Sequence, residues 1–426
     1  MGPREFLSKL SGVAGVNLME KLAGLVLGVL LVRWLGAEDY GRYAFVMACV
    51  TLGMIGTVIG MPQWLLRELA SGRDRPEELA GGRVQQRVLT LIAASGAVWI
   101  VVGSSALLLL AEPGPLRAAL LVALWLLAAN ALLVTLGHAL RAWSMEVRAQ
   151  VVSSLVPTVG TAALIGAMYW SPGIDGSPAL AVAARGAVVV GALGIASVLL
   201  LRITRPHAAA PSALPHRYGA ILRAAFPFML IGSAAVILRR SDVLMLGLLS
   251  SFEETGLYRI GAQGSALILL ALTTANVVAV PQFARLHAAG DKVALQRFVR
   301  MTGRLVFAAG FAMALVLTLF GAALLELFFG PGTATAWPAM MILSWGFVLS
   351  LAFGEPGFLL NMGGHEKVTL KVISLGALLN IVLNAVAVPV AGAEGAAAAT
   401  VVALLVQRLA MSRMVQARLG VSCRIL

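Results

Sequence analysis

Arg239, Arg240 and Asp242 stand inside FPFMLIGSAAVILRRSDVLMLGL, a run from Phe226 to Leu248 that is otherwise apolar and long enough to cross a bilayer. A crossing helix needs about 20 mostly apolar residues, and an ionisable side chain deep in hydrocarbon costs about 2.5 to 3.5 kcal/mol on insertion scales. Charges at that depth face a protein interior or a wet cavity. Arg239 and Asp242 are three apart on a helix and so lie on neighbouring faces, which lets them pair. Arg240, turned about 100° from Arg239, needs another partner. At least one positive charge is expected to be left over for something else.

The other charges within apolar runs are Glu20 and Lys21, Arg185 and Glu355. Asn17 lies three before Glu20 and four before Lys21, which makes a polar patch on the first helix, continued by Gly24 and Gly28. Two readings of Glu20 stay open: it neutralises Lys21 or an arginine of another helix, or it borders a ligand. Arg185 has no nearby acid in sequence and either snorkels to the outer interface or faces a cavity. Pro356 and Gly357 follow Glu355, so the tenth span is expected to break there, as a kink or as a site of H+ or Na+ coupling. Asn380 and Asn384, four apart, are expected to hydrogen-bond between helices. A cavity lined by Lys21, Arg185, Arg239 and Arg240 against Glu20, Asp242 and Glu355 is net positive. That suits a diphosphate or an acidic sugar, because the planar guanidinium donates two hydrogen bonds at once, and it repels a cationic drug.

The elements that must carry these groups follow from composition. Of 426 residues, 60% are hydrophobic and 12% charged, with a mean hydropathy of +0.92. Soluble domains carry about 25% charged residues, so this is an all-helical, polytopic membrane protein. The net charge of +13 does not point to nucleic acid, because Lys and Arg fall in short clusters between apolar runs rather than along one face. Cys49 and Cys423 are too far apart in sequence and expected depth to suggest a disulfide, a metal or a redox site. Arg4 and Lys9 precede the first apolar run, which is expected to be a retained helix rather than a cleaved signal.

Twelve spans are expected, roughly 13–35, 43–66, 88–110, 118–140, 151–170, 179–201, 225–249, 257–281, 305–328, 336–360, 368–390 and 395–410. The even-numbered loops and the two ends hold most of the 32 Lys and Arg residues, among them Arg67, Arg73, Arg75, Arg141, Arg205, Arg217, Arg297, Arg300, Arg304, Lys367 and Arg424. The odd loops lean acidic, with Glu38, Asp39, Glu112, Glu253, Glu254 and Glu394, so both termini are expected in the cytoplasm. Arg297, Arg300 and Arg304 fall on one helical face, which reads either as a solvated stop-transfer loop or as a face for anionic headgroups.

The stretch 203–216, ITRPHAAAPSALPH, has three prolines and no apolar periodicity. It divides the chain into an N-lobe at 1–205, a linker at 206–217 and a C-lobe at 218–426. The halves echo each other in the same order: Gly41 and Tyr43 in LGAEDYGRYAF align with Gly256 and Tyr258 in LSSFEETGLYRI, Pro62-Gln63-Trp64 with Pro281-Gln282-Phe283, and Glu146 with Glu366. Six spans per half make this a parallel repeat about an axis along the membrane normal.

LGAEDYGRYAF, GMPQWLLREL, SDVLMLG, ETGLY and LNIVLN together resemble the polysaccharide transporter branch of the multidrug/oligosaccharidyl-lipid/polysaccharide (MOP) exporter superfamily, the Wzx-type flippases, over nearly the whole chain. The resemblance implies two six-helix lobes around a central cavity in the bacterial cytoplasmic membrane. It further implies alternating-access transfer of undecaprenyl-diphosphate-linked oligosaccharide for surface polysaccharide biosynthesis. The partners implied are lipid-linked oligosaccharide, membrane lipids and polysaccharide polymerase machinery, with no nucleic acid and no cofactor beyond a coupling ion, H+ or Na+. The rival on the same fold is a drug/cation antiporter, which favours uncompensated acids in the first lobe, where Glu20 adjoins Lys21. A membrane enzyme is disfavoured, because the odd loops are too short to build an outer active site and the chain lacks GxxxxGK[ST], HExxH and CxxC.

Overall fold

A computed structural model describes residues 3–71, 81–204, 218–289, 292–420 and Ser422. The expected linker at 206–217 lies outside them, as do Arg73, Arg75, Arg205, Arg217, Cys423 and Arg424. The described chain is helical throughout: α1 Pro3–Val58, α2 Met61–Ser71, α3 Gly81–Leu110, α4 Pro115–Ala142, α5 Glu146–Gln150, a π turn Val151–Leu155, α6 Val156–Trp170, α7 Pro178–Thr204, α8 Tyr218–Leu249, α9 Phe252–Ala288, α10 Lys292–Phe329, a 3-10 turn Thr333–Ala336, α11 Trp337–Leu351, α12 Pro356–Met362 and α13 Glu366–Leu419.

Among the described residues, eight helices are long and apolar enough to cross a membrane, or nine if Tyr218–Leu230 and Gly232–Leu249 form one bent span. Part of the difference from the expected twelve is physical. The first two spans run together in Gly12–Val58, and the last two in Glu366–Leu419. The first expected loop is a single break at Gly36 (φ 77°), after which residues 37–45 are helical. There Arg42 pairs with both Glu38 and Asp39 along its own helix, so the acidic loop is a charge-matched helical turn. In α13 the break is confined to Ala391 and Gly392. The second and the tenth spans are also shorter than expected. The second ends at Val58, where Ile59 (φ 45°) and Gly60 (φ 71°) turn the chain before α2, and the tenth ends at Leu351, with Gly354 (φ 62°) leading into α12.

Two compact units are present, one of Met1–Leu35 with Val46–Ser233 and one of Gly36–Phe45 with Ala234–Leu426. Their limits differ from a cut at the linker in two places, and close backbone approaches account for both. Gly41 and Gly256 bring residues 36–45 against α9: a Cβ on Gly41 would lie 1.7 Å from the Phe252 carbonyl oxygen, and one on Gly256 would lie 1.9 Å from that of Ala37. Gly60 brings the start of α8 into the first unit, since a Cβ there would lie 2.4 Å from the Met229 nitrogen.

Within the first unit α4 packs against α2, α3 and α7, burying Leu126, Leu133 and Leu140 with Ile92, Val182 and Val189. Within the second, α9, α10, α11 and α13 pack around Ile260, Ile268, Leu325, Met340 and Leu343. Lipid tails are as apolar as leucine, so helix contacts here rest on close packing. Small residues supply it: Gly96 on Ala128, Gly160 on Val188 and Gly346 on Val401 are each too close for a side chain in place of glycine.

Candidate functional site

In the second unit, α8 presents Ser241 and Asp242 inward, both buried. The Asp242 carboxylate accepts two hydrogen bonds, one from the Tyr258 hydroxyl on α9 and one from the Val243 N–H at 2.9 Å. The Tyr258 hydroxyl also lies 3.5 Å from Thr400 Oγ1. Asn380 joins the same set by donating to Thr400 Oγ1 at 3.4 Å and accepting from Ser241 Oγ at 2.7 Å. Asn384 donates to the Asn380 carbonyl at 2.9 Å, and its own Oδ1 is buried with no partner among the described residues. One carboxylate is thus held by neutral donors, with hydroxyl and amide oxygens around it. That donor set can hold a proton or a small hard cation, since both take oxygen ligands.

The pair that the spacing allows between Arg239 and Asp242 does not form. Arg239 is exposed and has no ion-pair partner among the described residues, while Asp242 is turned toward Tyr258 of α9. The cations whose fields reach Asp242 are Arg259 and Arg240. The cause is angular: three residues advance a helix by about 300°, and burial of Asp242 beside Tyr258 takes the remaining offset away from Arg239.

In the first unit, Asn17 and Glu20 of α1 meet the side chain of Gln150 on α5. Its Nε2 donates to Asn17 Oδ1 at 2.7 Å and to Glu20 Oε2 at 3.3 Å, and its Oε1 accepts from Arg141 of α4 at 2.8 Å. The π turn that follows Gln150 is a one-residue widening of the helix of the kind frequent at functional sites. Among the described residues Glu20 makes no direct ion pair with Lys21 or an arginine: the amide of Gln150 stands between Glu20 and Arg141. Lys21 is exposed and has no ionic partner among the described residues. Arg185 on α7 is half-buried, and its Nε is buried without a hydrogen-bond partner.

Glu355 stands at the position just before α12 and pairs with Arg408 of α13 at 3.3 Å. Arg408 also donates to the Gly354 carbonyl at 3.3 Å, which supplies one of the backbone groups freed by the break between α11 and α12.

Sequence reasoning identified Asn17, Glu20, Asp242, Asn380 and Asn384 as polar groups within spans, and missed the residues that organise them. Gln150, Arg141, Tyr258 and Thr400 were read as loop or ordinary helix positions. Tyr258 carried a signal, because it aligns with Tyr43 in the repeat and both are buried. Gln150 carried none beyond its place just before an apolar run.

Comparison with known proteins follows the same lines. Residues 7–287 match the family described as Polysaccharide biosynthesis protein. An uncharacterized membrane protein of Methanocaldococcus jannaschii is 28% identical over 177 residues, 41% of this chain; the match spans only about a third (35%) of that relative's length. Among solved structures, the lipid II flippase MurJ in an inward closed conformation aligns with TM-score 0.74 at 12% identity, covering 95% of this chain and 87% of that one. An inward-facing MATE family multidrug resistance transporter of the MOP superfamily aligns with TM-score 0.71 at 13% identity, covering 94% of each chain. A MOP superfamily transporter from Pyrococcus furiosus, described as having a binding pocket of reverse polarity, aligns with TM-score 0.56 at 13% identity, covering 97% of this chain and 96% of that one. At these identities the structural likeness establishes the fold. The match over about two thirds of the chain's length shows the family: the protein belongs to the polysaccharide biosynthesis protein family and has the MOP superfamily fold.

Proposed function

We propose that the protein is a flippase for undecaprenyl-diphosphate-linked oligosaccharide. In this reading it crosses a bacterial cytoplasmic membrane twelve times, in two six-helix lobes related by an axis along the membrane normal, with both termini in the cytoplasm. The cargo turns over by alternating access and feeds surface polysaccharide assembly and its polymerase.

The observation that carries this reading is an imbalance of partners. Glu20, Asp242 and Glu355 each accept from a neighbour, Gln150, Tyr258 and Arg408 respectively. Lys21, Arg185 and Arg239 have no acid opposite them among the described residues. Positive charge in membrane spans is costly unless something anionic visits it, and a diphosphate supplies that charge with acceptor oxygens for a guanidinium. A drug/cation antiporter needs the opposite imbalance. Coupling to H+ or Na+ is assigned to Asp242 rather than Glu355, because Glu355 hydrogen-bonds a guanidinium directly whereas both hydrogen bonds to Asp242 come from neutral donors, with the Asn384 Oδ1 to spare nearby in the same set.

A strain lacking the gene tests the reading. Complementation by the wild type should clear accumulated lipid-linked oligosaccharide, and K21Q/R185Q/R239Q at equal membrane abundance should leave it accumulated on the inner leaflet. Clearance by that variant, or extrusion of a labelled organic cation in place of the lipid, would overturn it.

A further inference from the structure

The helix α10 is longer than its task in the membrane requires. The span expected from its sequence begins at Leu305, yet the helix starts at Lys292, so about 20 Å of helix precedes that span. One face of this extension is fixed by packing: Leu295 and Val299 are buried with Leu359, Leu360, Val372, Met411 and Val415. The opposite face carries Arg297, Arg300 and Arg304, all exposed, with the exposed apolar residues Val293, Met301 and Leu305 between them. They line an open groove of about 800 Å³ with Gln296 and Gly420. Gln296 holds the chain after α13 beside this groove through a two-bond clamp, donating to the Ser422 carbonyl and accepting from its N–H, both at 2.7 Å.

The arginine face does not end at the membrane boundary. Stepping by three and four residues from Arg297, Arg300 and Arg304 leads to Phe311, Leu315 and Leu319, and each of these is exposed. One continuous stripe therefore runs from three guanidinium groups into bare apolar helix. A soluble anion has use for the first part only, and a nucleic acid for neither Val293 nor Leu319. A phospholipid has use for both, with its phosphate on the arginines and its acyl chains on Phe311 and Leu315. Arg297 to Arg304 spans about 10 Å along the axis, wider than one phosphate bridges, so the stripe takes two headgroups side by side.

We propose that this face of α10 is a binding site for anionic phospholipids of the leaflet that adjoins the even-numbered loops, holding two phosphodiester headgroups on Arg297, Arg300 and Arg304. Each arginine near an anionic lipid surface is worth about fivefold in binding, so the three together give about a hundredfold. The site is separate from the intramembrane cations assigned to the cargo, and it stands if that assignment falls.

Native mass spectrometry of the full-length protein, delipidated and titrated with phosphatidylglycerol and phosphatidylcholine of the same chains, reads the site directly. The wild type should retain two phosphatidylglycerol molecules in preference to phosphatidylcholine. R297Q/R300Q/R304Q should lose that preference by about a hundredfold, and R297K/R300K/R304K should keep most of it, which separates lost charge from lost folding. Equal retention by the glutamine variant overturns the proposal. So does displacement by millimolar inorganic phosphate, which marks a free-anion site, or stronger retention of undecaprenyl diphosphate than of phosphatidylglycerol, which marks a cargo site.

Discussion

Gly41 and Gly256 cross so closely that neither has room for a methyl group: the nitrogen of Gly256 lies 2.8 Å from where a Cβ of Gly41 would stand, and that of Gly41 lies 3.3 Å from a Cβ of Gly256. These are the two glycines that align in the halves of the sequence. Arg42 lies over the Phe252 ring at 5.6 Å and the Phe45 ring packs edge-on against it at 5.7 Å, so the crossing is closed from both sides.

Substituting either glycine by alanine should therefore be severe. The nearest atoms are backbone carbonyls, which cannot rotate away, so G41A and G256A should each cost at least about 3 kcal/mol by overpacking. Thermal unfolding in detergent checks this. G194A, where a methyl meets open space, should unfold as the wild type does.

Removing the Tyr258 hydroxyl leaves the Asp242 carboxylate buried with one donor fewer. Y258F should destabilise the protein by about 1 to 3 kcal/mol, the cost of an unsatisfied buried acceptor. D242N keeps an oxygen for the Val243 N–H and turns its amide N–H2 to the Tyr258 oxygen, whose hydroxyl can then donate to Thr400 Oγ1, so it should unfold near the wild type yet make transport insensitive to the coupling-ion gradient. Gradient-dependent transport by D242N would remove Asp242 from that role.

Among the described residues Gln150 is the one side chain that ties Asn17 and Glu20 to Arg141. Q150L keeps its approximate volume and removes three hydrogen bonds at once. Transport should fall at least about tenfold, and Q150E should recover part of it by pairing with Arg141 while repelling Glu20. Equal transport by Q150L and the wild type would show that the network only packs.

The pair Glu355–Arg408 should behave as a structural clasp. E355Q and R408Q should each destabilise by about 1 kcal/mol, since both groups are half-buried rather than enclosed. The double variant should show a coupling of at least about 0.5 kcal/mol in a mutant cycle. Transport in E355Q should keep its ion dependence.

The helical class and most spans were legible because apolar runs of membrane length have few alternatives. What the apolar runs did not show was continuity. Residues 37–45 read as an acidic loop, yet a helix accepts acids when Arg42 sits three and four residues on. The candidate charges were also visible, since ionisable groups stand out against hydrocarbon. Their partners were not, because partnership depends on rotation about each helix axis. The three-residue spacing from Arg239 to Asp242 allowed a pair, and the buried hydroxyl of Tyr258, sixteen residues on, took the carboxylate. Gln150 lies well over a hundred residues from Asn17, and no local pattern in the sequence joins them.

The central claim is that unmatched cations within the spans receive a lipid diphosphate. Its most direct measurement is the affinity of the purified full-length protein for an undecaprenyl-diphosphate-linked sugar, wild type against K21Q/R185Q/R239Q, with equal thermal unfolding as the control on folding. The account predicts a loss of at least about tenfold, since each charge-assisted hydrogen bond is worth about 1.5 to 3 kcal/mol. An unchanged affinity in a variant that folds normally would contradict it.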